Sequence, residues 1–175
     1  MAFDFKKEFK EFYLPRAKPE IVNVSKANYI AVRGKGNPND EGGSYQQAVG
    51  ILYAVAYTLK MSYKTDYKID GFFEYVVPPL EGFWWQDGID GVDYSDKSSF
   101  NWISVIRLPD FITQEDFNWA VETASVKLMD DYLKEKGYAN DINQSRLHHE
   151  IYLSDPRKAE PEKWKTVIRH PIKKL

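Results

Sequence analysis

The chain has 175 residues, 43% of them hydrophobic, with 24 basic and 26 acidic residues and a net charge of −2. This length and composition favour one domain with its own core. The near-neutral balance argues against a nucleic-acid binder, which would carry a basic stripe. No apolar run reaches the roughly 20 residues that span a bilayer. The charged N-terminus, MAFDFKKEFKEFYLP, lacks the apolar segment of a secretory signal, so we expect neither membrane nor nucleic-acid partners.

Two further features of the composition narrow the class of protein. The chain has no cysteine, which excludes disulfides and thiolate metal sites and is typical of a cytoplasmic protein. Aromatic residues make up 15% of the chain, with 12 Tyr, 10 Phe and 5 Trp. This exceeds the needs of an ordinary core and indicates a surface or cavity that stacks on flat molecules.

The first half of the chain predicts a strand, a helix and two more strands. The opening strand covers residues 28–33, NYIAVR. The helix begins at Ser44, which has the spacing of a capping box with Gln47. Its apolar residues recur at helical spacing, as Tyr45, Val49, Leu52, Ala56 and Leu59. The two later strands are predicted over 72–78 and 81–86.

The second half predicts the same order of elements. Its helix begins at a similar box formed by Thr113 and Asp116, and Gly137 after two lysines ends it. Strands are predicted before and after this helix, over residues 101–107, 148–153 and about 164–170.

The repeated order predicts two β-α-β-β units, over about residues 22–95 and 98–172. The expected architecture is a single α+β domain over residues 1–175. Its sheet is mostly antiparallel, both helices pack on one face, and a ligand cleft lies between the pseudo-symmetric halves.

Alternation along the strands assigns their side chains to the two faces of this sheet. The residues predicted to face the helices are Ile30, Val32, Phe73, Tyr75, Ile103, Val105, Ile151 and Leu153. The opposite face then receives aromatic residues, small residues and carboxylates, namely Tyr29, Ala31, Glu74, Trp102, Ser104, His148, Glu150 and Tyr152. We expect this second face to form the cleft.

Four strings carry a resemblance to a known family: AVRGKGNPNDEGGSYQQA (31–48), PPLEGFWW (78–85), IRLPDFIT (106–113) and HHEIYLSDPRKAEPEKWKTVIRHPI (148–172). They resemble the stand-alone GyrI-like small-molecule-binding proteins over nearly the whole chain. The resemblance implies two β-α-β-β modules around a central pocket. Relatives serve as effector domains of multidrug-responsive transcription regulators. Some stand-alone members are hydrolases that open the strained cyclopropane of DNA-alkylating natural products.

The resemblance also implies a role for Glu150, which corresponds to a glutamate at the pocket base that attracts flat, cationic, aromatic drugs. No DNA-binding segment is found, so the regulator role is not implied for this chain. Tyr53 and Tyr57 lie on a second stripe of the first helix and are ligand-binding candidates to which the family assigns no role.

Each candidate carboxylate also has an alternative interpretation. Glu150 is either solvated on an open sheet face or the anionic floor of a pocket. Apolar burial would raise its pKa and a bound cation would lower it. Glu81 is either a charge on an edge strand or a site residue, because the neighbouring Gly82 permits close approach of a ligand. Glu74 matches Glu150 in the repeat, although by itself it is typical of an ordinary surface residue.

The tryptophans and histidines are less specific indicators of a functional site than the carboxylates. Tryptophan is usually part of the core, and Trp85 is preferred as a site residue because it shares a face with Glu81. His148 and His149 are neighbours on a strand and point apart, and the chain has one further histidine, His170. We therefore predict no zinc site. No nucleotide-binding fingerprint occurs, so we expect no cofactor.

The sequence thus predicts a cytoplasmic, monomeric protein whose cleft binds flat hydrophobic or cationic small molecules. The candidate ligand-binding residues are Tyr29, Tyr53, Tyr57, Glu74, Trp85, Trp102, His148 and Glu150. The alternative is a hydrolase of strained electrophiles. In it, Glu150 or Glu81 activates water, and Tyr152 or Tyr53 polarises the leaving carbonyl. A protein-binding module is a third possibility.

Overall fold

The computed structural model describes residues 2–14, 17–154 and 165–175. The chain forms two compact units: unit 1, Met1–Ala124, and unit 2, Ser125–Leu175. The architecture is mixed α+β with antiparallel sheets, as predicted. The two-fold repeat over 22–95 and 98–172 stays a prediction. Within the described ranges, no helix combines the length and the apolar character needed to cross a membrane.

Unit 1 opens with a short strand and two short helices that are rich in phenylalanine. They are β1 (Phe3–Asp4), α1 (Phe5–Glu8) and α2 (Lys10–Tyr13). The Asp4 carboxylate caps α1 by accepting the Lys6 N–H at 3.1 Å. The ring of Phe9 stacks on those of Phe5 and Phe12, with both centroid distances 6.0 Å.

The central sheet of unit 1 is antiparallel and three-stranded. Its strands are β2 (Asn28–Lys35), β4 (Leu80–Trp85) and β5 (Asn101–Leu108), and β5 lies in the middle. Between β2 and β4 in the chain lies β3 (Tyr75–Val76), which pairs in parallel with β1. The strand predicted over 72–78 is therefore much shorter than expected.

The first long helix, α3, covers Ser44–Met61, but its predicted capping box is wrong. The N-cap residue is Gly43, which has no side chain to cap with. The Ser44 hydroxyl donates to the Lys35 carbonyl at 3.2 Å, and the Gln47 amide donates to the Gly42 carbonyl at 2.8 Å. These two side chains bond to carbonyl groups that precede the helix. They do not accept from the free N–H groups of its first turn.

The second long helix, α4, covers Gln114–Glu135 and crosses the boundary between the units. Its predicted capping box is confirmed. The Thr113 N–H donates to Asp116 Oδ2 at 2.8 Å, and the Asp116 N–H donates to Thr113 Oγ1 at 3.2 Å. Gly137 ends the helical segment at φ +77°, a left-handed conformation that favours glycine, and its N–H donates to the Lys134 carbonyl at 3.1 Å.

Asp116 is 6% exposed, so its charge depends on hydrogen bonds. Burial by itself would raise the pKa of Asp116. Hydrogen bonds from Thr113 and from the Tyr67 hydroxyl, the latter at 3.0 Å, outweigh burial and lower this pKa. The ionised carboxylate therefore stabilises the fold above its unfolded-state pKa, and this contribution is lost as the pH falls through the depressed folded-state value.

Thr113→Ala should lower the free energy of unfolding by about 0.5–2 kcal/mol, because it removes one half of the capping box. It should also raise the pKa of Asp116, so that the acid-dependent part of the stability shrinks. Denaturant unfolding at neutral and acidic pH measures both effects. Thr123→Ala, at an exposed position of the same helix, is the matched control. Equal stabilities of the two variants would contradict the prediction.

The core of unit 1 lies between the sheet, α3 and the first half of α4. Fully burying one leucine or isoleucine side chain contributes about 1.5–3 kcal/mol, so this layer dominates the stability of the unit. Its buried members are Ile30, Leu52, Val55, Ala56, Leu59, Ile69, Ile106, Leu108, Ile112, Ala120 and Ala124.

The predicted faces of β5 are wrong by one residue. Ile30 pairs directly with Ile106, and both belong to the core beneath the helices. The even-numbered residues of β5 therefore face the helices, and Trp102 and Ser104 are 1% and 0% exposed. Ile103 and Val105 lie on the opposite face, contrary to the prediction, and Val105 is also buried there. Tyr29 and Ala31 of β2 point away from the helices, as predicted.

Antiparallel pairing explains this error. Two equivalent repeats would place Asn28, the first residue of the predicted strand 28–33, in the position of Asn101, the first residue of the strand 101–107. In the sheet, Asn28 lies opposite Leu108 and Lys35 lies opposite Asn101. Cross-strand pairing decides which face a residue occupies, and a shift of one position moves every side chain to the other face.

Trp102 is enclosed by its neighbours on the helix side of the sheet. Its ring meets the Tyr45 ring edge to face at a centroid distance of 5.2 Å. The same ring covers Gly34 so closely that a Cβ atom there would overlap it. Gly34 is thus required because a tryptophan ring takes the space of a side chain.

Unit 2 contains the end of α4 and two separate strand pairs. β6 (Tyr138–Asn140) pairs with β9 (Ile172–Lys174), and β7 (His149–Tyr152) pairs with β8 (Thr166–Arg169), both antiparallel. No residue described in unit 2 is buried. Polar contacts, and not an apolar core, connect these elements.

The remaining face predictions give a mixed result. Tyr75 is buried as predicted, whereas Phe73 and Leu153 are 43% and 63% exposed. The strands predicted in the last part of the chain are present but shorter. Trp164, the predicted start of the last strand, lies outside the described residues.

Candidate functional site

A chain of hydrogen-bonded side chains in unit 2 ends at Glu150. Glu150 Oε1 lies 2.9 Å from His148 Nε2, and His148 Nδ1 lies 2.8 Å from His170 Nε2. His170 Nδ1 lies 3.1 Å from Asn140 Nδ2, which also lies 3.3 Å from Asp130 Oδ1. We call these five residues the Glu150 chain.

Four local elements bring the Glu150 chain together. Asp130 lies in the last turns of α4 and Asn140 ends β6. His148 immediately precedes β7 and Glu150 lies within it, so alternation puts both side chains on one face of the strand. His170 lies between β8 and β9. The chain therefore connects the two strand pairs of unit 2.

The pKa of Glu150 is lowered, whereas apolar burial alone would raise it. The hydrogen bond from the Tyr152 hydroxyl is the largest cause, and the bond from His148 is the next. Both donors stabilise the charged carboxylate. The Glu150 side chain is 23% exposed. Glu150 is thus an anion at neutral pH, a form that can accept a proton or attract a cation, and it does not act as a general acid.

Tyr152→Phe should raise the pKa of Glu150 toward the ordinary glutamate value, because it removes the strongest donor to the carboxylate. The wild-type carboxylate stays ionised to lower pH, and the stabilisation it supplies is lost as the pH falls through its depressed pKa. Carbon-detected NMR titration of the Glu150 carboxyl measures the shift. Tyr138→Phe in the same unit is the control, and equal titration curves for the two variants would refute the role of Tyr152.

A second cluster of polar residues around a carboxylate lies in unit 1, on the sheet face opposite the core. Glu81 of β4 shares this face with Tyr29, and the Tyr13 hydroxyl donates to Glu81 Oε1 at 3.2 Å. Arg107, 7% exposed, packs its guanidinium over the Phe9 ring at 4.4 Å. The helices α1 and α2 therefore cover one end of this face.

The charge of Glu81 affects both tyrosines beside it. Burial is the largest cause of the raised pKa of Tyr29, and the negative charge of Glu81 is the next. The same two causes, in the same order, raise the pKa of Tyr13. Arg107 opposes the rise in each case. We call these four residues the Glu81 group; it contains the predicted site residues Tyr29 and Glu81.

The other predicted site residues are dispersed within unit 1. Trp85 lies on the same face as Glu81, and the Arg33 guanidinium lies 5.2 Å from the centroid of its ring. Tyr53 and Tyr57 of α3 have ring centroids 6.2 Å apart. Trp102, predicted to bind ligand, is buried in the core and is not part of the proposed site. Glu74 is exposed just before β3.

A cleft of about 310 Å³ lies at the β2 edge of the sheet, beside the start of α4. Of the predicted ligand-binding residues, Tyr29 lines this cleft. The full lining is Asn28, Tyr29, Ile30, Ala31, Leu108, Ile112, Thr113, Gln114 and Phe117.

Three members of the Glu150 chain were not predicted as site residues: Asp130, Asn140 and His170. His170 entered the sequence analysis as the one further histidine in the argument against a zinc site, and in the structure its Nε2 lies 2.8 Å from His148 Nδ1. The contact between His148 and Glu150 could be predicted from their spacing, since alternate residues of a strand share a face. No sequence pattern pointed to Asn140. Among the described residues, no group of three histidine, cysteine, aspartate or glutamate side chains could hold a metal ion.

The fold and the Glu150 chain define an α+β protein with a carboxylate held by an imidazole and a phenol. No family model matches the chain, and no curated protein matches it. An uncharacterized conserved protein from Listeria innocua is 41% identical, with a TM-score of 0.67 over 98% of this chain and 100% of that one. A hydrolase from the same organism is 39% identical, with a TM-score of 0.64 at the same coverage.

A further Listeria innocua structure described as a hydrolase is 40% identical, with a TM-score of 0.68 over 99% of this chain and 100% of that one. Identity and coverage of this size show common descent, and the chain belongs to the family of these Listeria proteins.

Proposed function

We propose that the protein is a hydrolase of an electrophilic small molecule, with Glu150 as the carboxylate that orients the attacking water and takes its proton. The observation that carries the proposal is the carboxylate itself, which hydrogen bonds from Tyr152 and His148 keep ionised. The description of two Listeria relatives as hydrolases supports the same reaction class.

The GyrI-like resemblance supplies the proposed substrate class, and Glu150 with its donor Tyr152 is compatible with it. A strained ring conjugated with a carbonyl needs one base for water and one proton for the carbonyl oxygen. This fits the cyclopropane-bearing compounds implied by the GyrI-like resemblance, a family assignment that we retain as a proposal together with its two-fold repeat. Because the chain has no cysteine, we place the protein in the cytoplasm.

The proposed step balances without a co-reactant. The water oxygen bonds to a ring carbon while the strained C–C bond breaks, and the electron pair of that bond moves through the conjugated system to the carbonyl oxygen. Glu150 takes the water proton. The Tyr152 hydroxyl, which donates to Glu150 before the reaction, turns to the carbonyl oxygen and gives it its single proton. The hydrogen bond between Tyr152 and Glu150 then returns the proton from the carboxyl to the phenolate.

Binding without turnover is the second candidate function, and the Glu81 group favours it. The face that carries Glu81 and Tyr29 also exposes Trp85 in part, and Phe83 is 60% exposed there. Aromatic rings next to a carboxylate suit a flat, cationic ligand.

Mass spectrometry separates the two functions. The protein is incubated with a panel of cyclopropane-bearing alkylators and aromatic cations, and both complexes and products are recorded. A product heavier than the substrate by one water, formed catalytically, supports the hydrolase. Complexes with no product would contradict the hydrolase and leave small-molecule binding as the function. In either case we propose that the protein is a monomer.

A further inference from the structure

The hydrogen-bond partners of Asn140 fix the orientation of its side-chain amide. The Ile142 backbone N–H can only donate, and it lies 3.0 Å from Asn140 Oδ1. The other end of the amide, Nδ2, is therefore the donor. Its two N–H groups point at Asp130 Oδ1 and His170 Nδ1. A carboxylate accepts one of them, which agrees with this orientation.

This orientation sets the direction of every later bond in the Glu150 chain. His170 Nδ1 accepts from Asn140, so the proton of a neutral His170 ring lies on Nε2. That N–H points at His148 Nδ1, which must accept it. The proton of His148 then lies on Nε2 and points at Glu150 Oε1.

The same directions exclude an imidazolium at either ring while the chain is intact. A second proton on His170 would lie on Nδ1, against an N–H of Asn140. A second proton on His148 would lie on Nδ1, against the N–H of His170. The charged groups at the two ends of the chain are Asp130 on α4 and Glu150 on β7. Nearby, Asp141 is engaged by Arg146 and by Lys173.

We propose that Asn140 and His170 are positioning residues, which keep His148 Nδ1 as an acceptor so that His148 binds Glu150 as a neutral imidazole. A neutral donor orients the carboxylate and leaves its negative charge for the substrate. An imidazolium would neutralise Glu150 as an ion pair and make it a weaker base. The catalytic consequence rests on the proposed hydrolase function, whereas the protonation pattern does not.

Nitrogen-15 NMR of the histidine rings at neutral pH tests the protonation pattern directly. In the wild-type protein, Nδ1 of His148 and of His170 should both be unprotonated. In His170→Phe, which keeps a ring but loses the N–H donor, His148 Nδ1 should gain a proton. In Asn140→Asp, the new carboxylate should move the ring proton of His170 from Nε2 to Nδ1. His170 Nε2 then becomes an acceptor, and His148 Nδ1 should gain a proton here too. Should His170→Phe fail to fold, Asn140→Asp supplies the same test one bond further along.

Two controls make the result specific. Asn143→Asp introduces the same change in the same unit but outside the Glu150 chain, and it should leave both rings unchanged. His149, next to His148 but not part of the chain, serves as an internal reference. A wild-type proton on Nδ1 of either ring, or unchanged rings in both variants, would overturn the proposal.

Turnover gives a second, separate readout. If the wild-type protein hydrolyses a substrate, His170→Phe and Asn140→Asp should lower kcat by about 10–100-fold, the scale known for residues that orient metal ligands without binding the metal themselves, with KM little changed. Altered rings with unchanged kcat would overturn the positioning role. A wild-type protein without turnover removes the proposed function alone, because the rings are observed without substrate.

Discussion

Glu150→Gln should lower kcat for hydrolysis by about 10²–10⁴-fold, the contribution typical of a general base. Glutamine keeps the shape of the side chain and can still accept the His148 N–H, but it cannot take a proton from water. Substrate binding through stacking and shape should change less than kcat. Steady-state kinetics on the substrate found by mass spectrometry measures both parameters.

Two further glutamate variants make this result decisive. Glu122→Gln, at an exposed position of α4, should leave kcat at the wild-type value. Glu81→Gln tests the other carboxylate that the sequence offers for water activation. If Glu150→Gln keeps its activity while Glu81→Gln loses it, the reacting carboxylate is in the Glu81 group and the assignment made here is wrong.

Trp102→Ala should lower the free energy of unfolding by about 3–5 kcal/mol, which is the usual cost of removing a buried tryptophan ring. The ring is 1% exposed and fills the space between Gly34 and the Tyr45 ring. Chemical denaturation followed by far-UV circular dichroism measures the loss. Phe83→Ala removes an aromatic ring that is 60% exposed and should cost far less. Similar losses in both variants would mean that Trp102 does not lie under the helices.

The contact with Gly34 allows a double-mutant test of the same packing. Gly34→Ala alone should destabilise the protein, because its Cβ atom meets the Trp102 ring. In a Trp102→Leu background the smaller side chain leaves room for that Cβ atom, so the added cost of Gly34→Ala should fall. Equal costs in both backgrounds would show that the two positions are not coupled.

Local signals predicted the secondary structure well, and contacts distant in sequence limited the rest. The capping box at Thr113 and Asp116 was found because its two partners are three residues apart. The similar pattern at Ser44 failed because a strand carbonyl at Lys35 takes the serine hydroxyl. The face of Trp102 depended on cross-strand register, which no window of neighbouring residues contains.

For the candidate site too, local signals were sufficient for some residues and contacts distant in the chain decided the others. Alternation on one strand correctly grouped His148, Glu150 and Tyr152. The sequence left the direction of the pKa shift at Glu150 open between apolar burial and a bound cation, and the structure lowers this pKa through the donors supplied by those same neighbours. His170 contacts His148 from 22 residues away in the chain, so only the folded structure brings the two rings together.

The N-terminal helices of unit 1 have a consequence for any ligand of the Glu81 face. Tyr13 already occupies a lone pair of Glu81, and Phe9 already stacks on Arg107. A molecule that stacks on Tyr29 beside Glu81 therefore competes with a segment of the same chain, whose tether gives it an effective concentration of about millimolar. The apparent affinity of such a ligand equals its intrinsic affinity multiplied by the fraction of time that the segment leaves the face open. Selectivity at this face thus depends on outcompeting a tethered tyrosine as well as on fitting the surface beneath it.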